Sequence, residues 1–382
     1  MIRDQETINQ LVGLVERFVR ERLVPNEKKL EEEAKLPEDI LQEMKALGLF
    51  GLTIPEEYGG LGLTMEEEIL IAIALGRTSP AFRSIMGTNN GIGSAAIVFN
   101  GSEEQKQKYL PRYASGEWIS CFCLTEPEAG SDAASLKTNA RREGDHYILN
   151  GTKRYITNAI IADTFNVMAR TDSAIQGARG ISSFIVERDT PGITLGPVDK
   201  KMGQAGSMTC DVTFEDCRVP AENLIGEEGE GFITAMKVLD RGRLHISGVS
   251  VGAAERLIAD ALDYALQRKQ FGKPIAEQQL IQAMLADSQT ETYAAKCMTL
   301  ETARQRDRGE NVSTESSASK LFATEMVGRV ADRAVQIHGG AGYMSEYAVE
   351  RFYRDVRLFR LYEGTSQIQQ IIIARNMIKE AS

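Results

Sequence analysis

Glu363 stands in the run Leu361-Tyr362-Glu363-Gly364-Thr365-Ser366-Gln367, an otherwise apolar and glycine-rich setting. A carboxylate stripped of water there has a raised pKa and can accept a proton near neutral pH, the work of a general base. A single Glu in a loop is more commonly a solvated acid, and this run alone does not separate the two. Thr365 or Ser366 is placed to cap the helix that follows.

Four further blocks carry polar or aromatic groups at useful spacing. Cys121 to Asp132 (CFCLTEPEAGSD) runs from an apolar start into Thr125-Glu126-Pro127 and then Ala129-Gly130-Ser131. Such a turn can offer several backbone N–H groups and two hydroxyls to the edge of a flat aromatic cofactor. A capped exit from a strand has the same composition. Tyr155 and Thr157 flank Ile156 and share one face of a strand by the two-residue period. A ring and a hydroxyl on one face can pack and bond a ring system, or simply pair on a sheet surface. Arg268-Lys269-Gln270-Phe271-Gly272 ends a long helical pattern. The planar fork of Arg can clamp a pyrophosphate, while basic groups at a helix C-terminus also complement its dipole. Gln336 to Tyr343 (QIHGGAGY) packs Gly339, Gly340 and Gly342 together. That spacing lets a backbone approach a phosphate, or merely stops a helix. His338 by itself reads as a satisfied structural histidine.

Other chemistries find little support. GIGSAA at Gly91 fits a dinucleotide fingerprint superficially, but follows Asn89-Asn90 rather than a strand and reads as a turn between helices. The three histidines, His146, His245 and His338, are far apart, so no dedicated zinc site is expected. The five cysteines (Cys121, Cys123, Cys210, Cys217, Cys297) form no CxxC and are odd in number, which argues for free thiols and a cytoplasmic setting. With 54 acidic against 44 basic residues the net charge is -10, which argues against binding nucleic acid through phosphate neutralisation. No apolar run is long enough to span a membrane, and MIRDQETINQ lacks the features of a secretion signal.

The elements that must position these groups fall into three stretches of the 382-residue chain, which is long enough for several domains. Ile8, Leu11, Val12, Val15, Phe18 and Val19 trace one helix face, ended or kinked at Pro25. Ile40, Leu41, Met44 and Leu47 trace a second, and helical patterns follow at 65–76 and 103–115. PEEYGGLG at Pro55 is a loop. After Gly116 short strand-like runs take over. HYIL and RYIT around Asn150-Gly151 predict a hairpin, and Cys210, Val212 and Phe214 alternate with polar neighbours. A β unit of six to eight strands is expected. From about Gly229 the helical period returns, over roughly 231–268, 276–308, 314–338 and 364–378. The expected domains are helical (1–118), β (119–229) and a helical bundle (230–382).

Taken together, LTEPEAGSD, NGTKRYITN, RKQFGKPI, QIHGGAGY and LYEGTSQIQ resemble the acyl-CoA dehydrogenase family in order and spacing along nearly the whole chain. The resemblance implies an α+β multidomain fold: an N-terminal helical domain, a middle antiparallel β domain and a C-terminal four-helix bundle. It implies non-covalent FAD and a homotetramer in which each flavin meets a neighbouring subunit. By motif, Phe122, Leu124, Thr125, Gly130 and Ser131, with Tyr155, Ile156 and Thr157, are expected at the flavin ring. Arg268, Gln270 and Phe271, with Gln278 and Gln279, are expected toward the pyrophosphate and ribityl region. Gln336, Gly339 and Gly340 are expected at the dinucleotide of a neighbouring subunit, and Thr365 and Gln367 on its adenosine side. Ser131, Asp240, Arg243 and Gly364 are expected at the acyl-CoA.

Glu363 is the base by the same resemblance. Some branches of the family take the base from the residue before the second Arg of LDRGR, here Gly242, which cannot serve. The implied reaction is α,β-dehydrogenation of an acyl-CoA thioester to a trans-2-enoyl-CoA, of the kind used in fatty acid β-oxidation. Glu363 takes the α-proton, hydride passes to flavin N5, and electrons go on to electron-transfer flavoprotein. An oxidase or a dehydrogenase of a non-CoA substrate on the same fold, and a non-catalytic acyl-CoA-binding protein, are the alternatives. Tyr155 stands where many relatives have Trp, and Glu128 where many have Gly. Neither change removes a catalytic group. Acyl chain length and branching are not legible.

Overall fold

The computed structural model describes residues 1–175 and 177–382. Seven helices lead: α1 (Gln5–Phe18), α2 (Glu27–Glu33), α3 (Glu38–Ala46), α4 (Met65–Gly76), α5 (Pro80–Asn90), α6 (Ala95–Asn100) and α7 (Glu103–Ser115). α1 buries Ile8, Val15 and Phe18, part of the stripe read from the sequence. Past it the backbone widens into a π turn (Val19–Leu23) and tightens into a 3-10 turn (Val24–Asn26), because Pro25 has no N–H to continue the helix. α4 opens on a reciprocal cap: the Thr64 hydroxyl accepts from the Glu67 amide, and the Glu67 carboxylate accepts from the Thr64 amide. α5 and α6 are the helices on either side of GIGSAA, whose first four residues form the expected turn and whose Ala95 and Ala96 begin α6. The core face of α5 carries Ser84, Thr88, Asn89 and Asn90, all buried, which hides its apolar period.

Eight strands form one sheet: β1 (Ser120–Cys123), β2 (Asn139–Glu143), β3 (His146–Thr157), β4 (Thr164–Arg170), β5 (Ile181–Glu187), β6 (Ile193–Leu195), β7 (Thr209–Pro220) and β8 (Leu224–Ile225). The order is β6-β7-β3-β2-β4-β5-β8, with β1 also on β4. Two findings correct the sequence reading. The sheet is mixed rather than purely antiparallel, since β1 runs parallel to β4 and β2 meets β4 in a parallel bridge. Asn150-Gly151 is also not a hairpin: β3 runs through it, with a register shift against β7 between Leu149 and Gly151. Gly151 adopts φ +149°, and a Cβ there would lie 2.4 Å from the Thr138 hydroxyl. Asn150 exchanges hydrogen bonds with Asp216 across to β7, accepting from its amide at 2.8 Å and donating to its carboxylate at 3.1 Å. Both residues serve a bulge within one strand. The alternation in β7 holds, with Cys210, Val212 and Phe214 in the core.

The last stretch is helical: α8 (Gly231–Gln267), α9 (Gln279–Asp307), α10 (Ser313–His338), α11 (Ala348–Val356) and α12 (Ser366–Ala381). Gly309 at φ +81° stops α9, and Gly339 stops α10 at φ +60° and ψ −139°, a conformation that only glycine takes easily. A Lys269–Gln270/Lys273–Pro274 hairpin follows α8, its turn residues Phe271 and Gly272 both at positive φ. The largest helical core joins α8, α9 and α10 to Met65, Ile69, Ala72 and Ile73 of α4. α4 and α8 cross with their backbones in contact: a Cβ on Gly252 would sit 2.0 Å from the Ile73 carbonyl oxygen, and one on Gly76 2.4 Å from that of Val249. No helix among the described residues is long and apolar enough to cross a membrane.

Candidate active site

Glu363 sits in the short loop between the 3-10 turn Arg357–Arg360 and α12. It adopts φ +56°, and Gly364 follows at +83°. A non-glycine residue in the left-handed region carries strain that its surroundings must hold. They do so through its carbonyls. Lys320 Nζ on α10 donates to the Gly364 carbonyl at 2.7 Å. Gln369 Nε2 on α12 donates to the carbonyls of Glu363 and Gly364, each at 3.0 Å. Thr365 caps α12 by accepting from the Ile368 amide at 3.3 Å. The Glu363 amide makes no hydrogen bond among the described residues.

The Glu363 carboxyl is equally uncommitted: its Oε2 is closed to solvent and has no hydrogen-bond partner among the described residues. Burial pushes its pKa up, opposed by the charges of Arg83, Arg243 and Lys320. Burial likewise draws the Lys320 amine down to about 8. Gly242 on α8 leaves room for the carboxyl, since a Cβ there would fall 2.5 Å from Glu363 Oε2. The two positions that the resemblance offers for a base therefore face one point. Arg243 is buried and paired with Asp240 one turn back, whose own pKa burial raises.

The loop after β1 is built around a buried carboxylate. Glu126 accepts from the amides of Lys137 at 2.6 Å and Thr138 at 2.9 Å, and from Lys153 Nζ at 2.8 Å. Lys153 Nζ also reaches the Leu124 carbonyl at 3.2 Å, and the Arg154 amide donates to that of Thr125 at 2.8 Å. Burial pushes Glu126 up, but Lys153 and the amides outweigh it and hold its pKa below the usual carboxylate value. The side chains of Leu124 and Ile156 point into the core, so only their backbones remain for a ligand. Gly130 and Ser131 are exposed, and Phe122, Thr125 and Thr157 are half-buried. Tyr155 is 59% exposed at φ +60°, with the Arg154 guanidinium 4.9 Å from its ring centre.

A groove of about 1020 Å³ lies elsewhere on the chain. Arg268, Gln270, Phe271, Gln278 and Gln279 line one side, and Gly339 and Gly340 the other. Phe271 is 93% exposed at its mouth. Neither Glu363 nor Tyr155 lines it, and Gln336, Thr365 and Gln367 stay outside it as well. His338 packs on Tyr264 at 4.3 Å and donates to the Ala334 carbonyl at 2.8 Å, a structural role. Of the groups that hold the site, the sequence reading has Glu126 and Lys153 only inside its motif blocks and His245 only as an isolated histidine, and it misses Lys320, Gln369 and Arg83. Lys320 alone leaves a trace, as a lysine on a helix face otherwise made of Ser316, Ala323, Thr324 and Val327.

Family models for the acyl-CoA dehydrogenase N-terminal, middle and C-terminal domains match residues 5–117, 121–217 and 229–378. An acyl-CoA dehydrogenase of Bacillus subtilis (strain 168) is 41% identical over 96% of this chain and 96% of its own. The caffeyl-CoA reductase-Etf complex subunit CarC of Acetobacterium woodii is 41% identical over 92% of each. The structure of an acyl-CoA dehydrogenase complexed with FAD from Bacillus anthracis superposes with a TM-score of 0.92 at 38% identity, covering 99% of this chain and 69% of that one. The chain belongs to the acyl-CoA dehydrogenase family.

Proposed function

We propose that this enzyme binds FAD and an acyl-CoA thioester and removes hydrogen across the α,β bond, with Glu363 as the base. One observation carries the reading: on a single residue, a desolvated carboxyl without a partner lies beside an amide without a partner. The carboxyl accepts the α-proton, and the amide donates to the thioester carbonyl as negative charge develops there. Lys320 and Gln369 hold the carbonyls of this loop, so both groups are set before substrate arrives. Gly242 keeps the carboxyl's place clear.

The residues present fit a flavin. Tyr155 offers an uncovered aromatic face, the exposed Gly130-Ser131 turn offers an edge of donors, and Arg268 with three glutamines offers a polar groove for a dinucleotide tail. Bound FAD would supply the hydride acceptor for the β-hydrogen. The groove and the Tyr155 platform are separate on one chain, which supports a homo-oligomer in which one copy's groove completes another's site. The likeness to a subunit of an Etf complex supports electron-transfer flavoprotein as the redox partner. Its description as a reductase fits the same residues working in reverse, Glu363 returning a proton to the α-carbon. Four buried free cysteines suit a reducing compartment.

The test is an anaerobic titration with a panel of acyl-CoA thioesters, following flavin absorbance. Bleaching by one class supports the reading. Glu363→Gln should retain FAD and ligand binding and lose bleaching by several orders of magnitude, about 10³-fold or more. Reduction of that variant at the native rate would overturn the assignment of the base. A flavin that no thioester bleaches would favour a substrate without CoA.

A further inference from the structure

The two segments expected at the flavin ring, the loop after β1 and Tyr155 to Thr157 of β3, are not joined to each other by the sheet. β1 pairs with β4, β3 pairs with β2 and β7, and no ladder links β1 to β3 among the described residues. A ring held by both segments needs their separation fixed. At one end the Arg154 amide does this by donating to the Thr125 carbonyl at 2.8 Å, with Lys153 Nζ on the Leu124 carbonyl at 3.2 Å. At the other end Asp163 accepts from the Ile119 amide at 2.7 Å, but it lies past the turn that follows β3 and holds the start of β4.

The residues beside Thr157 are held instead by α5, a helix of the N-terminal stretch. Asn158 follows Thr157 directly and is buried. Its Nδ2 donates to Thr88 Oγ1 at 2.8 Å and to the carbonyls of Ser84 and Ile85 at 3.2 and 3.1 Å. Its amide donates to the Met208 carbonyl at 2.9 Å. Asn158 adopts φ +66° and Tyr155 φ +60°, so two left-handed residues bracket Ile156-Thr157. Such a backbone persists only where its surroundings over-determine it, and α5 supplies the constraint. The next residue of the helix grips β1. Asn89 Oδ1 accepts from the amide and hydroxyl of Ser120, the first residue of β1, at 2.8 and 3.1 Å. Its Nδ2 donates to the carbonyls of Trp118 at 2.7 Å and Tyr113 at 3.1 Å. The turn after α5 comes so near that a Cβ on Gly93, the second glycine of GIGSAA, would lie 2.1 Å from the Ser120 hydroxyl. Asn90 makes a comparable set of bonds elsewhere. It donates to the Leu49 and Met86 carbonyls at 2.5 and 3.1 Å and accepts from the Thr53 amide at 3.4 Å. None of these partners lies on β1 or β3.

Resting on the reading that these two segments meet the flavin, we propose that α5 is the brace that sets the separation of β1 and β3, with Asn158 and Asn89 as positioning residues for FAD. Each acts through the backbone that it holds. The experiment uses the full chain and measures FAD affinity by calorimetry of the apo-protein, the flavin potential of the holoenzyme, and stability in urea. Asn158→Gly keeps the left-handed backbone and removes only the grip on α5, and Asn89→Ala removes the grip on β1. Each should weaken FAD binding by about tenfold, the value of the hydrogen bonds lost, and move the potential toward that of free FAD. Asn90→Ala should lose similar stability yet keep the native affinity and potential. Should an asparagine variant fail to fold, Thr88→Val still removes the shortest bond to Asn158 at constant shape and should act in the same direction. Thr88→Ser retains the hydroxyl and should restore native behaviour. An effect of Asn90→Ala on FAD equal to that of Asn89→Ala would overturn the brace and leave the flavin reading standing. So would native affinity and potential in Asn158→Gly and Thr88→Val. Native protein that binds no FAD would instead strike at the flavin reading itself.

Discussion

Lys153→Met removes one half of the ion pair around which the loop after β1 is built. The lysine side chain is 0% exposed and that of Glu126 6% exposed, so water cannot replace what is lost. Removing one partner of such a pair costs about 3–5 kcal/mol, because the other charge stays buried. Glu126 keeps the Lys137 and Thr138 amides, which places the cost at the lower end, about 3 kcal/mol. The pH dependence follows from the depressed pKa of Glu126. A carboxylate held below its ordinary 4.5 contributes stability that is present above that pH and lost as the pH falls through the native value. Without Lys153 the buried carboxylate gains by protonating. The deficit against the native protein should therefore shrink in mild acid. Urea unfolding of both proteins at neutral and mildly acid pH measures it, with release of FAD fluorescence as a second readout for the loop. A deficit under about 1 kcal/mol at neutral pH, or one that grows with acidity, would refute the account of the pair.

Further outcomes follow from the same geometry. Gly242→Ala should lower the rate of flavin reduction while sparing FAD affinity, because its Cβ would lie 2.5 Å from Glu363 Oε2 and push the carboxyl aside; stopped-flow reduction and a flavin titration separate the two. Joining Gly242→Glu to Glu363→Gly should restore part of the bleaching lost in Glu363→Gly alone, since both positions face one point. The rate of reduction should rise with pH along an acid limb above 4.5, as burial requires of an ionising Glu363. In Lys320→Met that limb should move higher still, an opposing charge being gone; a limb that stays put or moves down in a pH profile would contradict the electrostatics.

The sequence carries the fold well where a single periodicity governs an element. The stripe of α1, the alternation of β7 and the glycine stops of α9 and α10 all depend on local rules. It misleads where a local signal is used for a distant purpose. Asn150-Gly151 has the composition of a tight turn, but Thr138 on one side and Asp216 on the other claim it for a bulge. α5 has only a faint apolar period because buried polar residues occupy its core face, satisfied by partners far along the chain such as the Leu49 and Tyr113 carbonyls. Glu363 is visible as a carboxylate in odd company. What prepares it is not, because Lys320, Gln369 and Gly242 come from three different helices. The role of Asn158 is hidden for the same reason: its partners are Ser84, Ile85 and Thr88, and no spacing rule connects them.

The crossing of α4 and α8 bears on what counts as a unit in this molecule. Family models divide the chain into N-terminal, middle and C-terminal parts, but Gly76 and Gly252 join the first part to the third backbone against backbone. No side chain intervenes to let one helix slide on the other. The first 118 residues are therefore not a detachable module: cut free, they would bare the apolar face of α4 that now lies in the core of the last bundle. The N-terminal and C-terminal helices should unfold together, as one cooperative body interrupted in sequence by a sheet. A protease able to nick the loops between them should leave the pieces associated.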